Sequence, residues 1–129
     1  MDKWQAQNTY WNSFGIPAFQ EDTVPREIPD GKGGMKPLEM PYITYEMVSG
    51  SLDGLMSVDA SVWFRGTKWS EICQQTDAMA KIADREIKID GGYVKFRKSV
   101  GYWAQPLSDP NDDKVRRMRL NVEVEFLTA

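Results

Sequence analysis

The chain has 129 residues with a single cysteine, no histidine and a formal net charge of −3. This length fits one domain that holds its core without metals or disulfides. The lone Cys73 excludes an intramolecular disulfide framework, and the lack of histidine excludes the usual zinc sites and histidine-dependent catalytic triads. The acidic balance is not typical of a nucleic-acid-binding protein.

No targeting or membrane segment is predicted. The N-terminus carries acidic and amide residues where a signal peptide needs an apolar run, and no stretch approaches the roughly 20 apolar residues of a membrane span. We therefore expect the protein to be made and used in a cytoplasm-like compartment. The charge is uneven, with 4 bases and 9 acids in residues 1–60 against 12 and 10 in residues 61–129. This polarity favours head-to-tail association between copies.

The first 40 residues divide into a helix and a long connection. Aromatic residues recur at helical spacing over residues 2–14, Asp2 is a suitable cap, and Gly15 ends the helix, so residues 1–15 form an N-terminal helical segment. Residues 16–40 are rich in proline and glycine and lack periodicity. The sequence predicts a long Pro/Gly-rich loop here, and a loop of this length is usually functional or disordered.

A β-hairpin follows. Residues 42–48 are aromatic and β-branched, residues 49–54 contain turn residues, and residues 56–64 alternate between apolar and polar positions. The alternation predicts a sheet that is covered on one side only, with Trp63 on the polar side.

The pattern changes to a helix at Thr67. Apolar residues from Trp69 to Ile87 fall on one helical stripe, Thr67 or Ser70 is a candidate cap, and Glu71 lies in the first turn. The stripe predicts a helix that packs on the apolar face of the sheet.

The remainder predicts further strands. A turn at 90–92 precedes a strand at 93–98, residues 102–107 are also extended, and 108–113 form a loop. The last strand has the clearest alternation, with Met118 to Phe126 inward at even positions and Arg117 to Glu125 outward at odd positions. The class is therefore α+β, an antiparallel-dominated sheet with a helix on one face, in a single domain of residues 1–129 with its core in 41–129.

Four groups of residues suggest chemistry, and each has a structural alternative. The segment Asp109–Asp113 lacks the glycine and distal glutamate of a calcium loop, so an Asx-rich turn is favoured. Gly31–Gly34 lacks the flanks of a phosphate-binding P-loop. The basic residues near Arg117 share their face with Glu123 and Glu125, which favours a solvated or subunit-facing surface over DNA binding.

The fourth group contains the carboxylates Glu46, Asp59, Glu123 and Glu125. No nucleophile or orienting partner accompanies them, so no catalytic residue, metal site or cofactor site is predicted and the protein is not expected to be an enzyme. Five tryptophans are more than one core needs. We expect part of the aromatic set at an oligomeric interface.

Several motifs resemble the tail terminator and tail-completion proteins of long-tailed bacteriophages and prophages. They are Pro41–Tyr45, Ser61–Ile72, Asp90–Tyr93, Ala104–Gln105 with Asp109 and Asp112–Asp113, and Leu120–Phe126. Together they cover roughly residues 40–127, and the motifs are structural rather than chemical. Residues 1–39 match no motif of that family.

The resemblance implies a structural virion subunit. It implies a homo-oligomeric six-fold ring that caps the tail tube, stops its polymerisation and provides the surface where the head's neck attaches. The partners are then the tail tube protein and the stopper protein of the neck, and DNA passes through the lumen without sequence-specific binding. The protein would be assembled in the host bacterial cytoplasm and end in the tail or neck of the virion.

The resemblance also suggests which residues contact neighbours. The expected interface residues are Arg65, Lys68, Trp69, Trp63, Tyr102, Trp103, Asp112 and Asp113. Three alternatives remain open. The chain is another head–tail connector such as a stopper or neck subunit, a non-catalytic host binding module that uses residues 16–40 to bind a partner, or a metal-dependent nuclease that uses Asp112 or Asp113.

Overall fold

The structure is a computed structural model that describes residues 1–50, 54–66, 68–108 and 112–127. It is a mixed α+β fold with a curled, mostly antiparallel sheet and two helices, which confirms the predicted class at this level. Part of the predicted turn at 49–54, the candidate cap Thr67 and residues 109–111 of the predicted loop lie outside the described residues.

The chain begins with helix α1 (Lys3–Asn12), where residues 2–14 were predicted. The Asp2 carboxylate accepts hydrogen bonds from the backbone N–H groups of Trp4 and Gln5, and the Gln5 side chain accepts one from the Asp2 N–H. This capping box satisfies donors that the first helical turn leaves free.

The long Pro/Gly-rich loop predicted at 16–40 is not confirmed. The segment contains strand β1 (Ala18–Gln20), a 3₁₀ helix (Glu21–Thr23), β2 (Glu27–Pro29) and β3 (Met35–Pro37). Proline is tolerated here because these are short edge strands, where a missing N–H leaves no central ladder bond unmade.

The centre of the sheet is formed by the two longest strands described, β5 (Gly54–Arg65) and β9 (Val115–Leu127). Strand β5 pairs antiparallel on one side with β4 (Tyr42–Tyr45), as the predicted hairpin requires. Strand β5 pairs along its whole length with β9 (Val115–Leu127), from Gly54 opposite Phe126 to Arg65 opposite Val115.

The predicted helix over Thr67–Ile87 is too long. Helix α2 (Trp69–Ala80) ends seven residues earlier, and Ile87 belongs to strand β6 (Arg85–Ile89), where it lies opposite Val94. Ile87 is four residues from Ala83 and two from Ile89, so it fits a helical and a strand period equally well.

The last strands complete the sheet. Strand β7 (Gly92–Lys98) and β8 (Ala104–Ser108) pair with consecutive halves of β9. In the part of the chain that the structure describes, the sheet order is β1-β4-β5-β9-β7-β6, with β8 beside β9, and only β1 and β4 run parallel.

The core lies on one face of the sheet, beneath both helices. Tyr10 stacks on Phe96 with ring centroids 4.0 Å apart, and Trp11 stacks on Tyr45 at 5.9 Å. The predicted inward residues of β9 are buried. They are Met118, Leu120, Val122, Val124 and Phe126. The opposite face of the sheet, which we call the outer face, carries the odd-numbered residues of β5 and β9.

Candidate assembly interface

A concave surface lies at the end of the sheet where β5 stops and α2 begins. It consists of two adjoining hollows of about 440 and 580 Å³, and both are lined by Met40 and Arg65. We call this surface the Arg65 groove. Its first hollow is also lined by Pro41, Phe64, Gly66, Lys68, Glu71, Ile72 and Gln75, and its second by Val24, Pro25, Arg26, Leu38, Glu39 and Tyr42.

Two of the predicted interface residues line the groove. The Arg65 side chain is 62% exposed and lies 3.9 Å from the carboxylate of Asp112, at the long limit for an ion pair. Lys68 forms an equally long pair with Glu71 on the first turn of α2. Exposed pairs of this length contribute little to stability, so both cations remain available to a partner.

Trp69 and Asp113 lie beside the groove and meet at Arg116. The Arg116 guanidinium is 5.6 Å from the Trp69 ring and donates a hydrogen bond to the carbonyl of Asp113. The Nε of Arg116 is buried and has no hydrogen-bond partner among the described residues. This stacking holds the start of α2 against the start of β9.

Trp63 lies on the outer face, as predicted, next to the end of β5. Its Nε1 donates to Thr44 Oγ1 at 3.0 Å, and the Arg117 guanidinium lies 5.2 Å from its ring. Arg117 Nε also donates to Ser61 Oγ at 2.8 Å. The half-buried Trp63 therefore already makes contacts within the sheet, in addition to any contact with a neighbouring subunit.

Tyr102 and Trp103 do not join this group. Neither lines the groove. Trp103 Nε1 donates to the carbonyl of Thr76 at 3.3 Å, and its ring packs against Phe14, so the half-buried Trp103 packs against the core. Tyr102 is partly exposed, beside Trp103 in the β7–β8 connection.

The acidic segment before β9 forms a turn in its described part. Asp112 Oδ1 accepts from the Lys114 N–H at 2.9 Å, which is the Asx turn that the sequence favoured. Among the described residues, no group of three histidine, cysteine, aspartate or glutamate side chains is placed to hold a metal ion.

The glycine-rich segment is the turn of the β2–β3 hairpin. The Asp30 carboxylate accepts from the N–H groups of Lys32 and Gly34, and Gly31 and Gly33 adopt positive φ angles of 79° and 88°. These angles favour glycine, which explains the composition of this segment without a phosphate ligand.

Most charges on the outer face neutralise one another. Arg119 and Asn121 donate to the Asp59 carboxylate, while Arg97 lies 3.2 Å from Glu125 and 3.9 Å from Glu123. Partial burial alone would raise the pKa of Asp59, but these hydrogen bonds outweigh it and lower that pKa.

Glu46 meets a different group on the outer face. A hydrogen bond with Glu46, which requires one of the two carboxyl groups to be protonated, is the main cause of a raised pKa of Glu21. This pair, Thr44 and Arg117 line a polar hollow of about 190 Å³.

Most residues of the second hollow were not predicted from the sequence. Val24, Pro25, Arg26, Leu38 and Glu39 come from the segment that was predicted to be a loop, so no pattern associated them with Arg65. The available sequence signal was that Pro41 joins this segment directly to β4, which places the end of the segment beside the sheet.

Among the described residues, no helix is long and apolar enough to cross a membrane. Comparisons of the chain with models of known protein families, with curated proteins and with solved structures found no match.

Proposed function

We propose that the chain is a structural virion subunit, the tail terminator of a long-tailed bacteriophage, which caps the tail tube as a six-fold ring. The ring would stop tube polymerisation and offer the neck its attachment surface, between the tail tube protein on one side and the stopper on the other. The proposal starts from the sequence resemblance over residues 40–127.

One observation carries the proposal further. Three segments that contribute to the resemblance meet at one end of the molecule although they are far apart in the chain. Pro41 and Lys68 line the same hollow as Arg65, and Asp112 pairs with Arg65 from the start of β9. An interface for assembly needs this arrangement of exposed charge around apolar residues.

The charge pattern of the outer face supports a role in which DNA passes without being held. Arg97 and Arg119 are already paired with carboxylates, so the face lacks the continuous positive potential that strong phosphate binding needs.

Native mass spectrometry of the protein, alone and with tail tubes, tests the proposal, together with negative-stain images. We expect six-fold species, free or on tube ends. Arg65→Glu reverses a charge in the groove and should prevent ring formation while the far-UV CD melt stays unchanged. Lys81→Glu is the matched control, because it makes the same charge change at an exposed residue that lines neither hollow.

The alternatives give different results. A monomer that ignores tail tubes contradicts the terminator. Binding to the neck rather than to tubes would then favour a stopper or neck subunit, and a monomer that captures one host protein would favour a binding module. Normal rings from Arg65→Glu would remove the groove from the interface.

A further inference from the structure

The β2–β3 hairpin stands apart from the rest of the fold. Residues 27–37, which we call the arm, form a two-stranded sheet of their own, with no ladder to the main sheet among the described residues. Nearly every arm residue is exposed. An isolated two-stranded hairpin is marginally stable in water, so a contact outside its own strands would stabilise it.

One face of the arm is exposed and carries three apolar residues beside one carboxylate. Pairing of Pro29 with Met35 and of Glu27 with Pro37 places these four side chains together, while Ile28 and Lys36 occupy the other face. The Met35 side chain is 57% exposed. The two prolines have no backbone N–H, so this arm is suited to docking through its side chains rather than by adding a strand to a sheet.

The arm begins at the rim of the Arg65 groove but does not fill it. The Leu38 N–H donates to the carbonyl of Arg26 at 2.9 Å, which closes the base of the arm, and both residues line one hollow. No residue of 27–37 lines either hollow. The groove thus remains open in the same molecule that presents this exposed face.

We propose that the arm of one copy lies in the Arg65 groove of the next copy in the ring. The Pro29, Met35 and Pro37 side chains would cover the apolar lining at Met40, while Glu27 on the same face meets Arg65 and Lys68, whose own ion pairs are long and exposed. Opposite charges beside an apolar contact fix the register of such an interface.

This contact is head-to-tail, since each copy gives an arm and receives one. A repeated contact of this kind closes into a ring when the rotation between copies allows it. Only the six-fold closure rests on the proposed function. The contact between arm and groove is argued from the residues and charges of the arm and the groove alone.

A disulfide trap tests the contact. In a Cys73→Ser background, Met35→Cys on the arm is combined with Gln75→Cys, an exposed position that lines the groove. Mild oxidation should give a ladder of covalent oligomers on a non-reducing gel, which collapses on reduction. The control pairs Met35→Cys with Asp77→Cys, which is exposed on the same helix but lines neither hollow, and should give no ladder.

Each other outcome overturns the proposal. A disulfide within one chain means that the arm folds into its own groove, and dimers alone mean a two-fold contact. Equal ladders from both pairs mean random collision. The absence of any cross-link means that arm and groove do not meet.

A second pair of variants measures the apolar contact. Met35→Ser should weaken self-association about tenfold, as expected for a central interface residue, whereas Lys36→Ser on the other face should leave it unchanged. Equal effects of both variants would show that the assigned face of the arm is wrong.

Six-fold rings without arm cross-links would reject the arm–groove contact and keep the proposed tail terminator. Cross-linked ladders that neither close at six nor cap tubes would reject the terminator and keep the arm.

Discussion

At the scale of single residues, Tyr10 joins α1 to the sheet and to the connection between α2 and β6. Its ring stacks on Phe96, and its hydroxyl donates to the carbonyl of Ala83 at 2.8 Å in a buried site. Tyr10→Phe keeps the stacking and leaves the carbonyl without its donor. We expect a loss of about 1–3 kcal/mol in the free energy of unfolding, measured by urea titration. Tyr93→Phe, at an exposed ring, is the control, and equal stability of both variants would contradict the role of the hydroxyl.

Asp84 gives the fold a dependence on acid pH. The Lys98 N–H donates to its carboxylate at 2.8 Å and the Lys98 ammonium lies 3.3 Å away, and the backbone hydrogen bond is the main cause of the lowered pKa of Asp84. Because the pKa of Asp84 is lower in the folded state, the ionised carboxylate stabilises the protein fully at pH values above the ordinary pKa of 3.8. This stabilisation is lost as the pH falls through the pKa of the folded state.

Urea titrations over the acid range test this assignment. Asp84→Asn removes the charge and should lower the free energy of unfolding. We expect this difference from the native chain to shrink steadily as the pH falls from about 5 to about 2. Lys98→Met keeps the backbone donor but removes the ion pair and the hydrogen bond from the Lys98 ammonium to the Ala80 carbonyl. Because the backbone hydrogen bond to Asp84 stays, the pH-dependent part of its loss in the free energy of unfolding should be smaller than that of Asp84→Asn. A deficit of Asp84→Asn that does not change with pH would show that the charge is not the cause.

At the scale of elements, β9 tests the assignment of the two sheet faces. Val122 is fully buried opposite Val58. Val122→Asp would bury an unpaired carboxylate at a cost of several kcal/mol, so the far-UV CD melt should collapse. Leu55→Asp places the same residue on the outer face of β5, where Leu55 is exposed, and should keep a melt close to that of the native chain. A native melt from Val122→Asp would mean that the faces are reversed.

The same strand shows why some elements were predictable. The alternation over residues 117–126 of β9 leaves one choice of period and face. The boundary of α2 was not predictable, because Ile87 fits both periods and its place in β6 is decided by pairing with Val94. The short strands in residues 16–40 have three residues each, too few to display any period, and β1 owes its place to β4.

The candidate site was predictable only in part, for a related reason. Arg65 ends strand β5, and Lys68 and Trp69 follow it closely, so their position at a strand–helix junction could be inferred from the local pattern. That Arg65 lines one hollow together with Arg26 and Leu38 depends on the path of the chain before Pro41, which no local pattern records. Trp103 was predicted at an interface because it flanks a loop, and the structure shows it half-buried against the core beside Phe14.

At the scale of the whole molecule, the fold divides into a body and the arm. Helix α1 completes the body, since Tyr10 and Trp11 are buried between strands that are far apart in the chain. The arm contributes no residue to the buried core. The free energy of unfolding of the body should therefore be nearly independent of the arm, although assembly should depend on it.

Excision of the arm tests this division. Glu27 and Pro37 are paired across the base, so their Cα atoms are about 5 Å apart and two glycines can replace residues 28–36. Because no core residue is removed, we expect the melting temperature to stay within roughly 5 °C of the native value, a shift equivalent to about 1 kcal/mol for a domain of this size. Circular dichroism and tryptophan fluorescence should report one coincident transition in both proteins. A collapse of the melt would place the arm inside the cooperative unit, and the loss of assembly in an arm variant would then have to be read as a loss of folding.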